Sequence, residues 1–137
     1  MYKQILVPVD LTHVDRLGKA LQTAADLSRH YDAPVCYVGV TPETPSPVAH
    51  NPKEFAQKLE AFGNQQASEH GITATTRSYS STDPAIDINK TLKKAVEESG
   101  ADLVVMASHV PNVTDYIWPS HGGWVAEHSS ASVFVVR

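Results

Sequence analysis

The sequence predicts an α/β fold: a single doubly wound domain over residues 1–137, with a five-stranded, mainly parallel sheet and helices on both faces. Three observations carry that expectation. Apolar runs alternate with segments of helical periodicity along the chain, an order that implies right-handed crossovers between parallel strands. The runs are nearly continuous rather than alternating, as strands covered on both faces should be. The length of 137 residues suits one compact domain, and 42% hydrophobic against 19% charged residues excludes a disordered chain.

Ile5-Leu6-Val7-Pro8-Val9 predicts the first strand. Thr12, with Asp15 three residues on, is a capping-box-like helix start, and Val14, Leu17, Leu21, Ala24 and Leu27 follow at helical spacing. The pattern breaks over residues 30–32, and Val35 to Val40 predicts a second strand. Pro42, Pro45, Pro47 and Pro52 make residues 41–52 a stiff loop. Phe55, Leu59 and Phe62 mark a helix that stops at Gly71, and β-branched residues over 72–79 predict a third strand at a sheet edge. Asp83-Pro84 supplies an N-cap and a first-turn proline. Ile88, Leu92, Ala95 and Val96 form the buried stripe of that helix, and Gly100 ends it. Leu103 to Met106 is the next strand, followed by a loop, a helix from about Ser120 to Ser130, and a last strand over 133–136.

Charge and composition exclude several classes. The net charge is −4, and no basic face is present for gripping nucleic acid by its phosphates. Lys53, Lys58, Lys90, Lys93 and Lys94 are mixed with glutamates on two predicted helices, the pattern of a solvated surface. The amino terminus lacks the h-region of a signal peptide, and no stretch approaches the roughly 20 apolar residues that span a bilayer. The single cysteine, Cys36, falls inside an apolar run, where an inert core thiol is expected. The expected setting is cytoplasmic, with neither nucleic acid nor membrane as partner. No Gly-x-Ser-x-Gly elbow or Walker A motif occurs, and Ser108-His109 are only sequence neighbours, so catalysis is not expected. At most a slow hydrolase could be built, with His109, His121 or Asp115 as base.

In doubly wound sheets ligands settle beyond the carboxyl ends of the strands, where the strand order reverses. That rule selects Val9-Asp10, Gly39-Val40-Thr41 and the chain from Met106 onward. Asp10 suits a hydrogen bond to a base or sugar, or a magnesium ion; it equally suits capping of the next helix, and one side chain could do both. The 14-residue loop from Ala107 to Ser120 is longer than the ~2–6 usual for a strand-to-helix connection. Ser120 as N-cap, followed by His121-Gly122-Gly123, leaves helix amides facing outward, an anion site by geometry. From Ala107 to Ala131 there is no Lys or Arg. An anion there would therefore depend on backbone amides, the Ser120 hydroxyl, His109 or His121, and a metal, which favours weak binding. His109, His121 and His128 cluster in sequence, and His13 lies near Asp10. His121 and His128 are seven residues apart with no thiolate nearby, so no protein-held metal site is expected. Trp118 and Trp124 suit packing, or a contact between copies of the chain.

Four segments, in this order, resemble the universal stress protein family: Ile5-Leu6-Val7-Pro8-Val9-Asp10; Asp83-Pro84-Ala85; Gly100-Ala101-Asp102-Leu103-Val104-Val105-Met106-Ala107-Ser108-His109; and Ser132-Val133-Phe134-Val135-Val136. The resemblance runs nearly end to end. It implies a Rossmann-like domain of the adenine nucleotide alpha hydrolase-like type that forms a homodimer or tetramer through strand 133–136. Many members bind ATP with the pattern Gly-x-x-Gly, about nine residues, then Gly-Ser or Gly-Thr. Here Ala107 and Val110 stand at the first two glycines and Pro119 at the third, with spacing one residue shorter. The Ala107-Ser108-His109-Val110-Pro111 form is similar to a branch of the family, some of whose members still bind ATP. The resemblance thus implies a weak site for ATP, ADP or AMP, with or without magnesium near Asp10. Its residues would be Pro8, Val9, Asp10, Val40, Met106, Ala107, Ser108, His109, Val110, Ser120, His121 and Gly122. The implied role is a nucleotide-responsive stress or signalling protein acting by binding and oligomerisation. The alternative is a stress-related interaction protein that has lost the nucleotide.

Overall fold

The computed structural model describes residues 1–108 and 122–137. Along the chain run β1 (Ile5–Pro8), a short 3-10 helix (Leu11–Arg16), α1 (Gly18–Tyr31), β2 (Val35–Pro42), α2 (Pro52–His70), β3 (Ala74–Ser81), α3 (Pro84–Ser99), β4 (Leu103–Ala107), α4 (Gly122–His128) and β5 (Ser132–Val136). The five strands form one sheet in the order β3-β2-β1-β4-β5, and every neighbouring pair is parallel. The expected five-stranded doubly wound sheet is therefore present, with β3 at one edge as its polar, β-branched composition indicated.

Right-handed crossovers place α1 and α2 on one face, because both connections step from β1 toward β3, and α3 and α4 on the other. Packing agrees: α3 touches α4, and α4 lies on β5. The buried apolar runs explain the central strands. Ile5, Leu6, Val35, Tyr37, Val38, Val104 and Val105 are all 0% exposed, as strands sandwiched between helix layers require. Leu59 of α2 and Leu92 of α3 are likewise fully buried, one from each layer. Two glycines let α2 lie close to the sheet. A Cβ on Gly39 would sit 2.7 Å from the Phe55 ring, and one on Gly63 would sit 2.5 Å from the Thr76 methyl group.

Helix ends follow their chemistry. Asn51 caps α2 by accepting from the Glu54 N–H at 2.8 Å, and Asp83 caps α3 by accepting from Ile86 N–H at 3.3 Å. Gly71 and Gly100 close the same two helices with φ of 63° and 70°, a left-handed conformation that costs glycine no Cβ clash. Asp32 adopts it after α1 with φ 51°, one of the few non-glycine residues able to do so. A long-range clamp fixes the start of the sheet: the Asp102 carboxylate accepts from the Lys3 and Gln4 N–H groups at 3.0–3.1 Å.

Several boundaries differ from the sequence expectation: α4 ends at His128 rather than Ser130, β1, β3, β4 and β5 shift by one or two residues at an end, and three differences have a clear cause. The first helix does not begin at Thr12. Asp10 captures the Thr12 N–H at 2.9 Å, so the carboxylate, not Thr12, is the cap, and it starts a 3-10 turn. The backbone of His13 is then non-helical (φ −125°, ψ 36°), and α1 starts only at Gly18. The third strand starts at Ala74 rather than Ile72 because the Ile72 N–H is spent on Ala67 O at 3.1 Å, closing α2. β2 continues past Val40 to Pro42, paired with β3 as far as Pro42–Ser81. Among the described residues, no helix is long and apolar enough to cross a membrane.

Candidate functional site

The order reverses at β1. Its own crossover leads to β2 on one side, while β4 arrives on the other after α3, which makes the carboxyl end of the β1/β4 boundary the switch point. Pairing there is short. β1 and β4 are in register only at Ile5–Leu103 and Leu6–Val104, although β1 runs on to Pro8 and β4 to Ala107. Pro8 accounts for the break. The Ile5 and Val9 N–H groups donate to Pro34 O and Val38 O, on the β2 side, at 3.0 and 2.8 Å. Backbone direction alternates along a strand, so Leu6 and Pro8 turn toward β4. Pro8 has no N–H to offer there, and the ladder ends one residue pair after Ile5–Leu103.

Side chains alternate in the same way, and residues in register share a face. Gly39 faces Phe55 and Leu59 of α2, and Tyr37 faces Gly63 of the same helix. Val7, in register with Tyr37, therefore points to the α1/α2 layer, as does Val9. A Cβ on Gly122 would lie 3.8 Å from the Met106 sulfur, so Met106 faces α4. It follows that Pro8, Asp10, Val40, Met106 and Ser108 all lie on the α3/α4 side of the carboxyl edge, with Gly122 of α4 against Met106. Val9 and Ala107 lie on the opposite side. Val9 is 1% exposed and belongs to the core under α1, so of the predicted contacts these two are brought to the edge by backbone alone. Ser108 is tethered to β5 by its N–H, which donates to Val136 O at 2.8 Å. His109, Val110, Ser120 and His121, together with Asp115, Trp118 and Pro119, lie outside the described residues.

Asp10 is the polar centre of what is described. It is 3% exposed and follows the end of β1 in an extended conformation (φ −107°, ψ 107°). Its Oδ1 accepts from the Thr12 N–H at 2.9 Å, and its Oδ2 lies 2.8 Å from His13 Nδ1. The capping role expected of Asp10 is in place. A buried carboxylate requires such partners. Each oxygen thus has one partner within the chain, and a carboxylate oxygen has a second acceptor site beyond it. Among the described residues, no group of three or more His, Cys, Asp or Glu is placed to hold a metal. His13 has no place in the site assigned from sequence, although the Asp10-x-x-His13 spacing is visible there. The 3-10 turn converts that spacing into contact.

The remaining candidates resolve simply. Cys36 is buried, and burial pushes its thiol pKa up, the opposite of a reactive thiolate. Trp124 stacks on His128 of its own helix, with ring centroids 4.1 Å apart and planes 10° from parallel, and His128 Nδ1 lies 2.8 Å from Trp124 O. A wide cleft of about 850 Å³ opens between the ends of α3 and α4, lined by Lys93, Glu97, Asp102, Glu127 and His128 among others. It sits at the amino edge of the sheet, away from the switch point, and its acidic rim repels phosphate.

The model of the universal stress protein family matches residues 1–137. Universal stress protein G of Shigella flexneri is 27% identical over 145 residues, covering all of both chains. Among solved structures, a universal stress protein from Archaeoglobus fulgidus in complex with dAMP aligns over 99% of this chain and 98% of its own, with TM-score 0.65 and 19% identity. A universal stress protein family protein from Arabidopsis thaliana with AMP bound aligns over 98% of this chain and 90% of its own, with TM-score 0.65 and 12% identity. At those identities the structural likeness shows the fold.

Proposed function

The chain belongs to the universal stress protein family, and from that premise we propose that it binds an adenine nucleotide, with a single phosphate preferred, at the carboxyl edge where β1 and β4 part. The observation that carries this reading is the early end of the β1–β4 ladder at Leu6–Val104, with Pro8, Asp10, Val40, Met106 and Ser108 gathered on one face beside it. The dAMP and AMP complexes of relatives with this fold support an adenine monophosphate. The preference for one phosphate also rests on charge. No Lys or Arg occurs from Ala107 to Ala131, so this segment brings no cationic side chain to a triphosphate.

Binding acts through assembly in this reading. β5 is an edge strand with Phe134 and Val135 each 46% exposed, and an apolar unpaired edge suits pairing with a second copy. The buried lone thiol supports a reducing, cytoplasmic setting. The test is direct. Protein purified without added nucleotide is denatured, and released adenine nucleotide is sought by mass spectrometry. Calorimetry then titrates AMP and ATP, each with and without magnesium. AMP heat that is independent of magnesium and at least equal in affinity to ATP supports the reading. No released nucleotide and no heat from either ligand would leave the protein as an interaction module that works through its β5 edge alone.

A further inference from the structure

We propose that the Arg137 guanidinium binds the phosphate of the nucleotide and so sets the ligand's direction across the sheet edge, base toward Asp10 and Val40, phosphate toward the β4/β5 corner; this rests on the nucleotide reading above. That reading leaves the phosphate without a cation. Pro8, Asp10, Val40, Met106, Ser108 and Gly122 bring none, and no Lys or Arg occurs from Ala107 to Ala131. A phosphate that leaves water needs charged donors in its place.

Strand register supplies one. β4 and β5 are paired as far as Ala107–Val136, and the Ser108 N–H carries the ladder on by donating to Val136 O at 2.8 Å. Arg137 therefore follows β5 beside Ser108, one strand spacing away, about 5 Å. A Cβ on Gly122 would lie 2.7 Å from a Val135 methyl group and 3.7 Å from one of Val133, so both valines face α4. Side chains alternate along a strand, and Arg137 continues the side of Val133 and Val135, which is also the side of Met106 and Ser108. Its guanidinium is exposed and has no hydrogen bond or ion pair among the described residues. The backbone there is held by a different cation, since Lys19 Nζ of α1 donates to Arg137 O at 3.0 Å. Lys19 thus fixes the main chain and leaves the guanidinium free for a ligand.

Charge then orders the nucleotide. Asp10 sets a buried carboxylate at the tip of β1. Arg137 stands two strands away, past β4 at the end of β5, about 10 Å across the sheet. A phosphate is repelled at the first position and attracted at the second. One guanidinium offers a fork of N–H donors to one phosphate, which agrees with a preference for AMP over ATP.

Arg137→Gln removes the charge and keeps much of the length, and the position is exposed beyond the strand end, so the variant should fold as wild type does. Calorimetry of the full chain with adenosine and AMP reads the result. We expect AMP affinity to fall about tenfold and adenosine affinity to stay the same, in line with loss of one charge-assisted contact. Arg137→Lys should recover part of the loss, and added salt should weaken AMP more in wild type than in Arg137→Gln. Wild-type binding of AMP that Arg137→Gln leaves unchanged, or a loss shared equally by adenosine, would overturn this inference and leave the nucleotide reading standing. Absence of wild-type binding to both ligands would overturn that reading and this inference with it.

Discussion

On one flank β1 pairs with β2 along its whole length, from Ile5–Val35 to Pro8–Val38, and β2 pairs with β3 over eight residues. On the other flank β1 is bonded to β4 only at Ile5–Leu103 and Leu6–Val104, and the pairing ends there. The first flank is built for closeness. Gly39 and Gly63 remove the Cβ atoms that would hold α2 off the sheet, and Phe55, Leu59 and Phe62 fill the space. The second flank is less fully bonded, by one missing donor at Pro8. In the proposed reading the same central strand separates two functions, cohesion on the β2 side and ligand access on the β4 side. A lesion on the tight flank should cost stability, and one on the open flank should cost binding.

Leu59→Ala attacks the tight flank and carries the largest expected effect. Leu59 is fully buried under α2, and a leucine truncated in such a place costs about 3 kcal/mol. Urea unfolding measures it; a loss under about 1 kcal/mol would mean that the α2 layer is loosely packed. Gly63→Ala tests the same flank by overfilling. The new methyl would lie 2.5 Å from the Thr76 methyl group, and threonine is stiff at χ1, so about 2 kcal/mol should be lost. Neither variant should change the relative affinity for AMP and ATP in the fraction that remains folded.

Pro8→Ala tests the open flank and should separate the two quantities. Alanine restores an N–H facing β4. It adds a hydrogen bond of about 0.5–1.5 kcal/mol and gives up about 0.4–1 kcal/mol of chain stiffness. Stability should therefore change by less than about 1 kcal/mol. With the ladder extended, AMP affinity should fall about tenfold, and the new amide at position 8 should be protected from hydrogen exchange. An unchanged affinity together with a protected amide would show that the opening is not where the ligand sits.

Much of the tight flank was readable from sequence, because its signals are local. Gly71, Gly100 and Asp83-Pro84 mark helix ends by conformations and donors that depend on one or two residues. The open flank was read only in part. The rule for strand ends located Asp10, Val40 and Met106, and Pro8 is visible as a missing donor, but which neighbour it fails requires the register. The Asp102 clamp on Lys3 N joins residues 99 apart, and no local pattern announces it. Thr12 looked like a helix cap because Asp15 completes the motif. Asp10 outcompeted it since a carboxylate already fixed at the end of a buried strand loses little freedom on taking the amide. That competition also hid His13, whose contact exists only because the first turn is 3-10 rather than α.

Tyr37→Phe is the smallest effect and the sharpest check on how tight the tight flank is. Tyr37 pairs with Val7 and Thr76, is 0% exposed, and stands edge-on to Phe62 with ring centroids 5.3 Å apart. Its hydroxyl has no hydrogen-bond partner among the described residues, a burden of about 1–3 kcal/mol for a buried polar group. Phenylalanine keeps the ring contact and removes the burden, so the variant should be more stable by about 1 kcal/mol at pH 8. The pH dependence has a definite sign. Burial raises the Tyr37 phenol pKa above its ordinary value, so the folded state holds this proton more firmly than the unfolded chain. That contribution is complete below the unfolded pKa of about 10 and is lost as pH climbs beyond it, by up to about 1.4 kcal/mol per pH unit. The phenylalanine variant lacks this loss, so its advantage should widen between pH 10 and pH 11. Tyr79, whose pKa is pushed up to about 12 by burial and then by its bond to Glu98, acts with the same sign in both chains and cancels from the difference. Urea unfolding at pH 8, 10 and 11 reads all of this. A variant less stable than wild type at pH 8 would mean that the hydroxyl is satisfied by an enclosed water, and that the β2 flank is less close-packed than its glycines imply.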